Sequence, residues 1–123
     1  AQFDVLQSMS EPMAISKDGL YMVSCEEDGI ARWKLTKNGY SLASKVNVED
    51  MWEINSLKPL SADCRYVAAV VRDGIAAWDL FEKKVAALPL PFAFTTTITA
   101  IPGSRLLAVD NGQSAQIFKF VVD

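Results

Sequence analysis

Histidine is absent from this chain of 123 residues, and cysteine occurs only twice. Without histidine, neither a Ser–His nor a Cys–His pair can activate a nucleophile. The acidic pairs Glu26-Glu27 and Glu49-Asp50 are adjacent in loops rather than placed across a cleft, which does not suit general acid and base catalysis. We therefore predict no enzyme activity, no catalytic residue, no metal site and no cofactor.

An excess of positive charge is also missing. The chain has 12 Lys and Arg residues against 15 Asp and Glu residues, which gives a net charge of −3. Binding to nucleic acid needs a basic stripe that neutralises phosphates. Direct contact with nucleic acid is therefore not expected as the main role.

Long apolar segments are missing as well. Charged residues such as Arg72, Lys83 and Arg105 interrupt every apolar run. No run approaches the ~20 residues that a membrane-spanning helix needs. The opening stretch, AQFDVLQSMSEP, lacks the basic and apolar parts of a signal peptide. We expect no association with a membrane.

The two cysteines, Cys25 and Cys64, lie in or beside predicted strands and lack CxxC spacing. A disulfide between them is one interpretation, and buried free thiols are the one that we favour. Free thiols are typical of reducing compartments. We therefore expect an intracellular protein, either cytoplasmic or nuclear.

Two eight-residue segments are nearly identical: DGIARWKL at 28–35 and DGIAAWDL at 73–80, forty-five positions later. They differ only at Arg32/Ala77 and Lys34/Asp79. The same shift aligns serine, aspartate and tyrosine positions: Ser16 with Ser61, Asp18 with Asp63, and Tyr21 with Tyr66. A third, more divergent copy places Phe118 in the tryptophan position. Three repeat units, at approximately 4–35, 41–80 and 84–120, therefore fill the chain as one domain.

The apolar runs have the length and composition of strands. Short, turn-bounded runs rich in β-branched and small residues occur at 21–25, 67–71 and 106–109. We predict four strands in each unit, in the order edge strand, second strand, valine-rich strand and tryptophan strand. The edge strands are predicted at 4–6, 41–46 and 84–88, and the second strands at 13–16, 57–61 and 97–101.

Both faces of these small sheets are predicted to be covered, because runs such as VAAVV and IAAW are apolar almost without interruption. Four-stranded antiparallel sheets that stack on one another are the blades of a β-propeller. The predicted fold is therefore all-β, with about three blades of a propeller in this chain.

The segment LKPLSADCRYVAAVVRDGIAAWDL (57–80) resembles a WD repeat, with Trp78-Asp79 as the signature dipeptide. The likeness covers all three copies, although the dipeptide becomes Trp33-Lys34 in the first and Phe118-Lys119 in the third. The resemblance implies a propeller that serves as a protein–protein interaction scaffold, within a larger protein or a multi-subunit complex.

The sequence departs from the family pattern at its polar positions. The Gly-His pair is absent, and Glu27 and Arg72 stand six residues before the tryptophans, where the family usually has a buried Asp. We expect packing to stabilise these blades more than that polar network does. Trp33 and Trp78 recur at the repeat period, which favours a place in the core between blades over ligand stacking. The residues assigned a structural role are Trp33, Trp78, Asp79 and Phe118.

The loops carry the candidate binding residues, because the function of a propeller lies on its rims. Loops before the second strands, and loops between the valine-rich and tryptophan strands, are expected to share one acidic rim: Glu11, Glu26, Glu27, Asp28, Glu49, Asp50, Glu53, Asp73 and Asp110, against a single Arg72. The opposite rim is mildly basic: Lys17, Lys37, Arg65, Lys83, Lys84 and Arg105, against Asp18, Asp63 and Glu82. Alternatively, both rims are only solvated turns.

An aromatic anchor surrounded by acids favours binding, because Met51-Trp52 is flanked by Glu49, Asp50 and Glu53 and suits a lysine- or arginine-rich peptide. Trp52 could equally join two blades. The candidate partner-binding residues are Glu26, Glu27, Asp28, Glu49, Asp50, Met51, Trp52 and Arg72.

Two further functions stay open. A propeller enzyme or small-ligand binder would use the central channel, but Met13, Lys58 and Thr97 do not supply ligating or catalytic groups there. A nucleic-acid-associated scaffold would use the basic rim and would show a steep dependence on salt.

The number of blades raises the question of closure. Propellers close with about four to eight blades, and this chain supplies three. The remainder of a longer parent chain could cover the open faces, which the missing initiator Met and the ending at Asp123 favour. The alternative is a second copy that completes a ring of six blades.

Overall fold

The computed structural model describes residues 1–48, 53–90, 97–101, 103–110 and 112–122. Within these ranges the chain forms antiparallel β-sheets and no helix. The all-β prediction is therefore confirmed. The same ranges contain no helix that is long and apolar enough to cross a membrane.

Three sheets can be distinguished, each a meander of strands consecutive in sequence. The first sheet has the order β1 (Met13–Ile15), β2 (Tyr21–Glu26), β3 (Gly29–Thr36) and β4 (Gly39–Asn47). The second sheet has the order β5 (Ser56–Pro59), β6 (Tyr66–Val71), β7 (Gly74–Asp79) and β8 (Lys84–Pro89). The third sheet has β9 (Thr97–Ile101), β10 (Leu106–Asp110) and β11 (Ala115–Lys119), with β10 in the centre.

The aligned serine and aspartate positions of the repeat form the same turn in the first two sheets. Before β2, Ser16 Oγ donates to Asp18 Oδ1 over 2.7 Å and accepts a hydrogen bond from the backbone N–H of Tyr21. Before β6, Ser61 Oγ donates to Asp63 Oδ1 over 2.8 Å. The sequence repeat is therefore also a repeat of local structure, because short polar side chains replace backbone partners in these turns.

The predicted grouping of the strands into sheets is wrong by one strand. The strands at 41–46 and 84–88 are expected to begin the second and third units, and they lie in β4 and β8. They pair with β3 and β7, so they are the last strands of the first and second sheets. The short turn at Lys37-Asn38 explains the first case, because it pairs Thr36 with Gly39 and so folds β4 directly back onto β3.

No strand forms at residues 4–6, which corrects the first predicted edge strand. The side chains of Phe3, Val5 and Leu6 are 105%, 87% and 76% exposed. A strand needs a neighbour that accepts and donates its backbone hydrogen bonds. Among the described residues, no strand is paired with this segment.

The central strands of the second sheet, β6 and β7, are buried on both faces, as their uninterrupted apolar runs predict, whereas β8 is exposed. One face packs against the first sheet through Val67, Ala69, Val71, Ala76 and Trp78, which meet Val23, Ile30 and Val46. The other face packs against the third sheet through Ala68, Val70, Ile75 and Ala77, which meet Ile98, Leu107 and Val109. Successive residues of a strand point to opposite faces, which explains this alternation.

The short first strands of the three sheets lie side by side, since β5 contacts both β1 and β9. The loops that lead into β1 and β5 are therefore neighbours. This arrangement brings residues far apart in sequence to one end of the sheets.

Candidate functional site

The turn between β2 and β3 carries three consecutive acids. Glu26 pairs with Gly29 across the hairpin, so Glu27 and Asp28 form the tip and are exposed. Gly29 is required there, because a β-carbon would collide with the carbonyl oxygen of Val46. The tight hairpin therefore projects its carboxylates into solvent.

Glu26 is held in place by a polar chain across the sheet. Its Oε1 accepts a hydrogen bond of 2.8 Å from Ser24 Oγ, which itself accepts one of 2.9 Å from Trp33 Nε1. Ser24 is fully buried and Trp33 is half-buried. The carboxylate of Glu26 is therefore positioned by a hydrogen bond within the first sheet, and this contact involves no cation.

Asp28 forms an ion pair with Lys45 of β4. The hydrogen bond from Lys45 holds the pKa of Asp28 below its usual value. The pKa of Lys45 is raised, first by Asp28 and then by the nearby charges of Glu26 and Glu27. Arg72 is therefore not the single cation on this side of the molecule, which corrects the expectation from sequence.

The turn between β6 and β7 occupies the corresponding place in the second sheet. Its tip consists of Arg72 and Asp73, both exposed. Arg72 NH1 lies 3.9 Å from Glu53 Oε1. That distance is longer than a hydrogen bond, and such an exposed ion pair contributes little to stability.

A cleft of about 540 Å³ lies at the same end of the sheets as these two turns. It is lined by residues 11–13 before and in β1 and by residues 54–58 before and in β5. The carbonyl of Pro12 accepts from the N–H of Cys25, and the N–H of Asn55 donates to the carbonyl of Val70. These bonds place one wall beside the β2–β3 turn and the other beside the β6–β7 turn.

We call this surface the acidic rim, and it is formed by Glu11, Glu26, Glu27, Asp28, Glu53 and Asp73, with Lys45, Lys58 and Arg72 as its cations. Of the predicted binding residues, Glu26, Glu27 and Asp28 lie together at the β2–β3 turn, and Arg72 lies at the corresponding turn of the second sheet. The other four, Glu49, Asp50, Met51 and Trp52, lie outside the described residues, so the predicted aromatic anchor stays a prediction.

The tryptophans of the repeat have different surroundings. Trp78 is 3% exposed and packs between the first and second sheets. Trp33 pairs across the strands with Met22 and Leu42, on the face of the first sheet that is turned away from the second. Phe118 packs against the core between the second and third sheets. Trp33 is thus not between two of the described sheets.

Asp79 is a buried acceptor of several hydrogen bonds. Arg65 donates from Nε to Oδ1 over 3.0 Å and from NH2 to Oδ2 over 3.1 Å. The backbone N–H groups of Phe81 and Glu82 also donate to Oδ1. Its pKa is lowered, first by the hydrogen bond from Arg65. Asp79 therefore closes the turn after β7 and fastens Arg65 to it.

Among the described ranges, no group of three or more Cys, Asp or Glu residues is arranged to hold a metal ion. No protein-family model matches the sequence, and a search of curated proteins finds no match either. The geometry of the rim is therefore the main basis for assigning a function.

Proposed function

We propose that this chain is a segment of a WD-repeat β-propeller and acts as a protein-interaction scaffold, whose acidic rim binds lysine- and arginine-rich segments of a partner. The single observation that carries the proposal is the acidic rim. Turns from two different sheets and the cleft between them present carboxylates at one end of the molecule.

The packing of the sheets supports the propeller part of this proposal. Each described sheet is an antiparallel meander, and β1, β5 and β9 lie side by side. Repetition around a central channel requires this arrangement of first strands. The equivalent turns at Ser16 and Ser61 support a repeat of one structural unit.

The balance of charges supports the binding part. Six carboxylates of the rim face three cations, Lys45, Lys58 and Arg72, and one of those cations, Lys45, is already paired with Asp28. Glu27 and Asp73 are exposed at the tips of their turns. Such a surface attracts cationic segments over a distance, which raises the association rate and makes it depend on salt.

The proposal can be tested with a fluorescent arginine- and lysine-rich peptide, whose binding is followed by anisotropy at several salt concentrations. Glu27→Lys changes the charge at the rim without breaking a contact that holds the fold. Glu82→Lys makes the same change in net charge at an exposed turn at the opposite end of the second sheet. We expect Glu27→Lys to weaken binding by about three- to tenfold and Glu82→Lys to leave it nearly unchanged.

Equal effects of the two substitutions would show that only net charge matters, and the rim would then be no binding site. A neutral peptide of the same length gives the baseline. Binding of the basic peptide at that baseline would also refute the proposal.

A further inference from the structure

Arginine and aromatic side chains alternate at the end of the sheets opposite the acidic rim. The guanidinium of Arg32 lies over the rings of Tyr21 and Phe81. The guanidinium of Arg65 lies over the rings of Phe81 and Tyr66. We call these five residues the arginine–aromatic cluster. The strands that carry or flank them, β2, β3, β6 and β7, are the central strands of the first two sheets.

The two arginines of this cluster differ in what their guanidinium groups bind. Arg65 donates from two of its nitrogens to the carboxylate of Asp79. Arg32 donates only from Nε, to the carbonyl of Asp63, as far as the described residues show. Its two terminal nitrogens have no partner there and are not sealed from solvent, although the residue is only 8% exposed. Such a planar pair of donors fits a carboxylate in a bidentate contact.

The repeat itself does not require a cation at this position. The second copy has Ala77 where the first has Arg32, and Ala77 is buried in a strand of the same kind. A buried guanidinium with two unpaired donors costs more free energy than an apolar side chain there. Two sheets that pack need no such donors, so they are available to a ligand.

Phe81 supplies an aromatic surface beside these donors. It lies in the turn between β7 and β8 and is 48% exposed. The guanidinium carbons of Arg32 and Arg65 are both 4.9 Å from its ring centroid. Two such contacts hold the ring in place, so little side-chain freedom is lost when a partner packs on it. Exposed aromatic residues next to arginine are typical of the centres of protein interfaces.

The charges at this end of the sheets favour an acidic ligand. The described cations here outnumber the acids: they are Lys17, Arg32, Lys34, Lys37, Arg65, Lys83, Lys84, Arg105 and Lys119, against Asp18, Asp63, Asp79 and Glu82. Asp18 and Asp63 accept hydrogen bonds within their own turns, and Asp79 is paired with Arg65. These acids still repel a phosphate, with its charge of about −2, more strongly than a carboxylate. They also interrupt the basic stripe that nucleic acid needs.

We propose that the arginine–aromatic cluster binds an acidic segment of a partner protein. A carboxylate of that segment binds the terminal nitrogens of Arg32, and an apolar side chain next to it packs on the exposed part of Phe81. The molecule then has a second interaction surface, at the end opposite the acidic rim. This surface does not depend on what the acidic rim binds.

A fluorescent peptide of Asp and Glu residues with one Leu tests the proposal by anisotropy at several salt concentrations. Lys83→Glu reverses an exposed charge in the same turn as Phe81. Lys58→Glu makes the same change in net charge at the acidic rim and is the matched control. We expect Lys83→Glu to weaken binding by about three- to tenfold and Lys58→Glu to leave it nearly unchanged.

Arg32→Lys tests the contact itself, because lysine keeps the charge but has no planar pair of donors. We expect at least about threefold weaker binding, with circular dichroism to check the strands. The unchanged chain gives a readout that needs no variant. In its nuclear magnetic resonance spectrum, the Nε–H signal of Arg32 should shift when the acidic peptide is added, and that of Arg72 at the acidic rim should not.

Three results would overturn the proposal. The first is binding of the acidic peptide no tighter than that of a neutral peptide of the same length. The second is an equal effect of Lys83→Glu and Lys58→Glu, or an Arg32 signal that does not shift. The third is tighter binding of a single-stranded oligonucleotide with the same number of charges, which would assign the cluster to nucleic acid instead.

Discussion

Arg32 of the first sheet donates from Nε to the carbonyl oxygen of Asp63 in the second sheet, over 2.8 Å. Its guanidinium carbon lies 4.4 Å from the ring centroid of Tyr21 and 4.9 Å from that of Phe81. Tyr21 belongs to the first sheet, and Phe81 lies two residues after the end of β7. Buried Arg32 therefore connects the two sheets by a charged hydrogen bond and by its cation–π contact with Phe81, whereas its contact with Tyr21 lies within the first sheet.

Arg32→Ala is expected to lower the free energy of unfolding by about 1.5–3 kcal/mol, because it removes a charged hydrogen bond at a buried position. Urea unfolding followed by circular dichroism measures the change. Lys34→Ala, in the same strand but exposed, serves as the control. The same loss for both variants would mean that Arg32 does not join the sheets.

The two repeat tryptophans should differ in their contribution to stability. Trp78→Ala creates a cavity between two sheets and should cost about 3–5 kcal/mol. Trp33→Ala should cost clearly less, since Trp33 is half-buried on the face of the first sheet that is turned away from the second. Urea unfolding measures both, and equal losses would contradict the assigned surroundings.

Acid should weaken the contact between Arg65 and Asp79. The folded pKa of Asp79 lies below its ordinary value, so the carboxylate stabilises the fold at every pH above its unfolded pKa of about 3.9. That contribution is lost as the pH falls through the folded pKa. Urea midpoints of the unchanged chain and of Asp79→Asn should therefore differ at neutral pH and converge below about pH 4.

The control for this titration is Asp73→Asn, which changes an exposed residue of the acidic rim. Its urea midpoint should follow that of the unchanged chain at each pH. A constant gap between the unchanged chain and Asp79→Asn across the acid range would contradict the stated origin of the effect.

The two thiols should react at different rates. Burial raises the pKa of Cys64 to about 12, and burial followed by repulsion from Glu26 raises that of Cys25. Both cysteines are free, and Cys64 is fully buried whereas Cys25 is half-buried. With a thiol reagent at about pH 8, Cys25 should react first and Cys64 only on unfolding; mass spectrometry of labelled peptides identifies each site.

The repeat in the sequence predicts the valine-rich and tryptophan strands well. The strands at 21–25, 67–71 and 106–109 appear as β2, β6 and β10. Local signals are sufficient here, because apolar runs with short polar turns at both ends have few other ways to fold.

Assignment of the edge strands needs information that a local pattern does not contain. A strand at 41–46 is compatible with pairing to the strand before it or to the strand after it. The short turn at Lys37-Asn38 makes it pair with β3. The position of Lys45 beside Asp28 depends on that choice. The contact of Arg32 with Asp63 depends on how two sheets pack against each other. The sequence shows that Arg32 stands where the other repeat has Ala77, but it does not identify Asp63 as the partner of Arg32.

The shared hydroxyl of Ser24 gives the molecule an optical reporter of its own. The indole N–H of Trp33 and the carboxylate of Glu26 meet at the same oxygen. A cation that binds Glu26 and breaks its hydrogen bond with Ser24 leaves the Ser24 hydroxyl free to rotate. The polarity around the indole of Trp33 then changes. The fluorescence of Trp33 is therefore expected to change when a cation binds Glu26 at the acidic rim, without any attached dye.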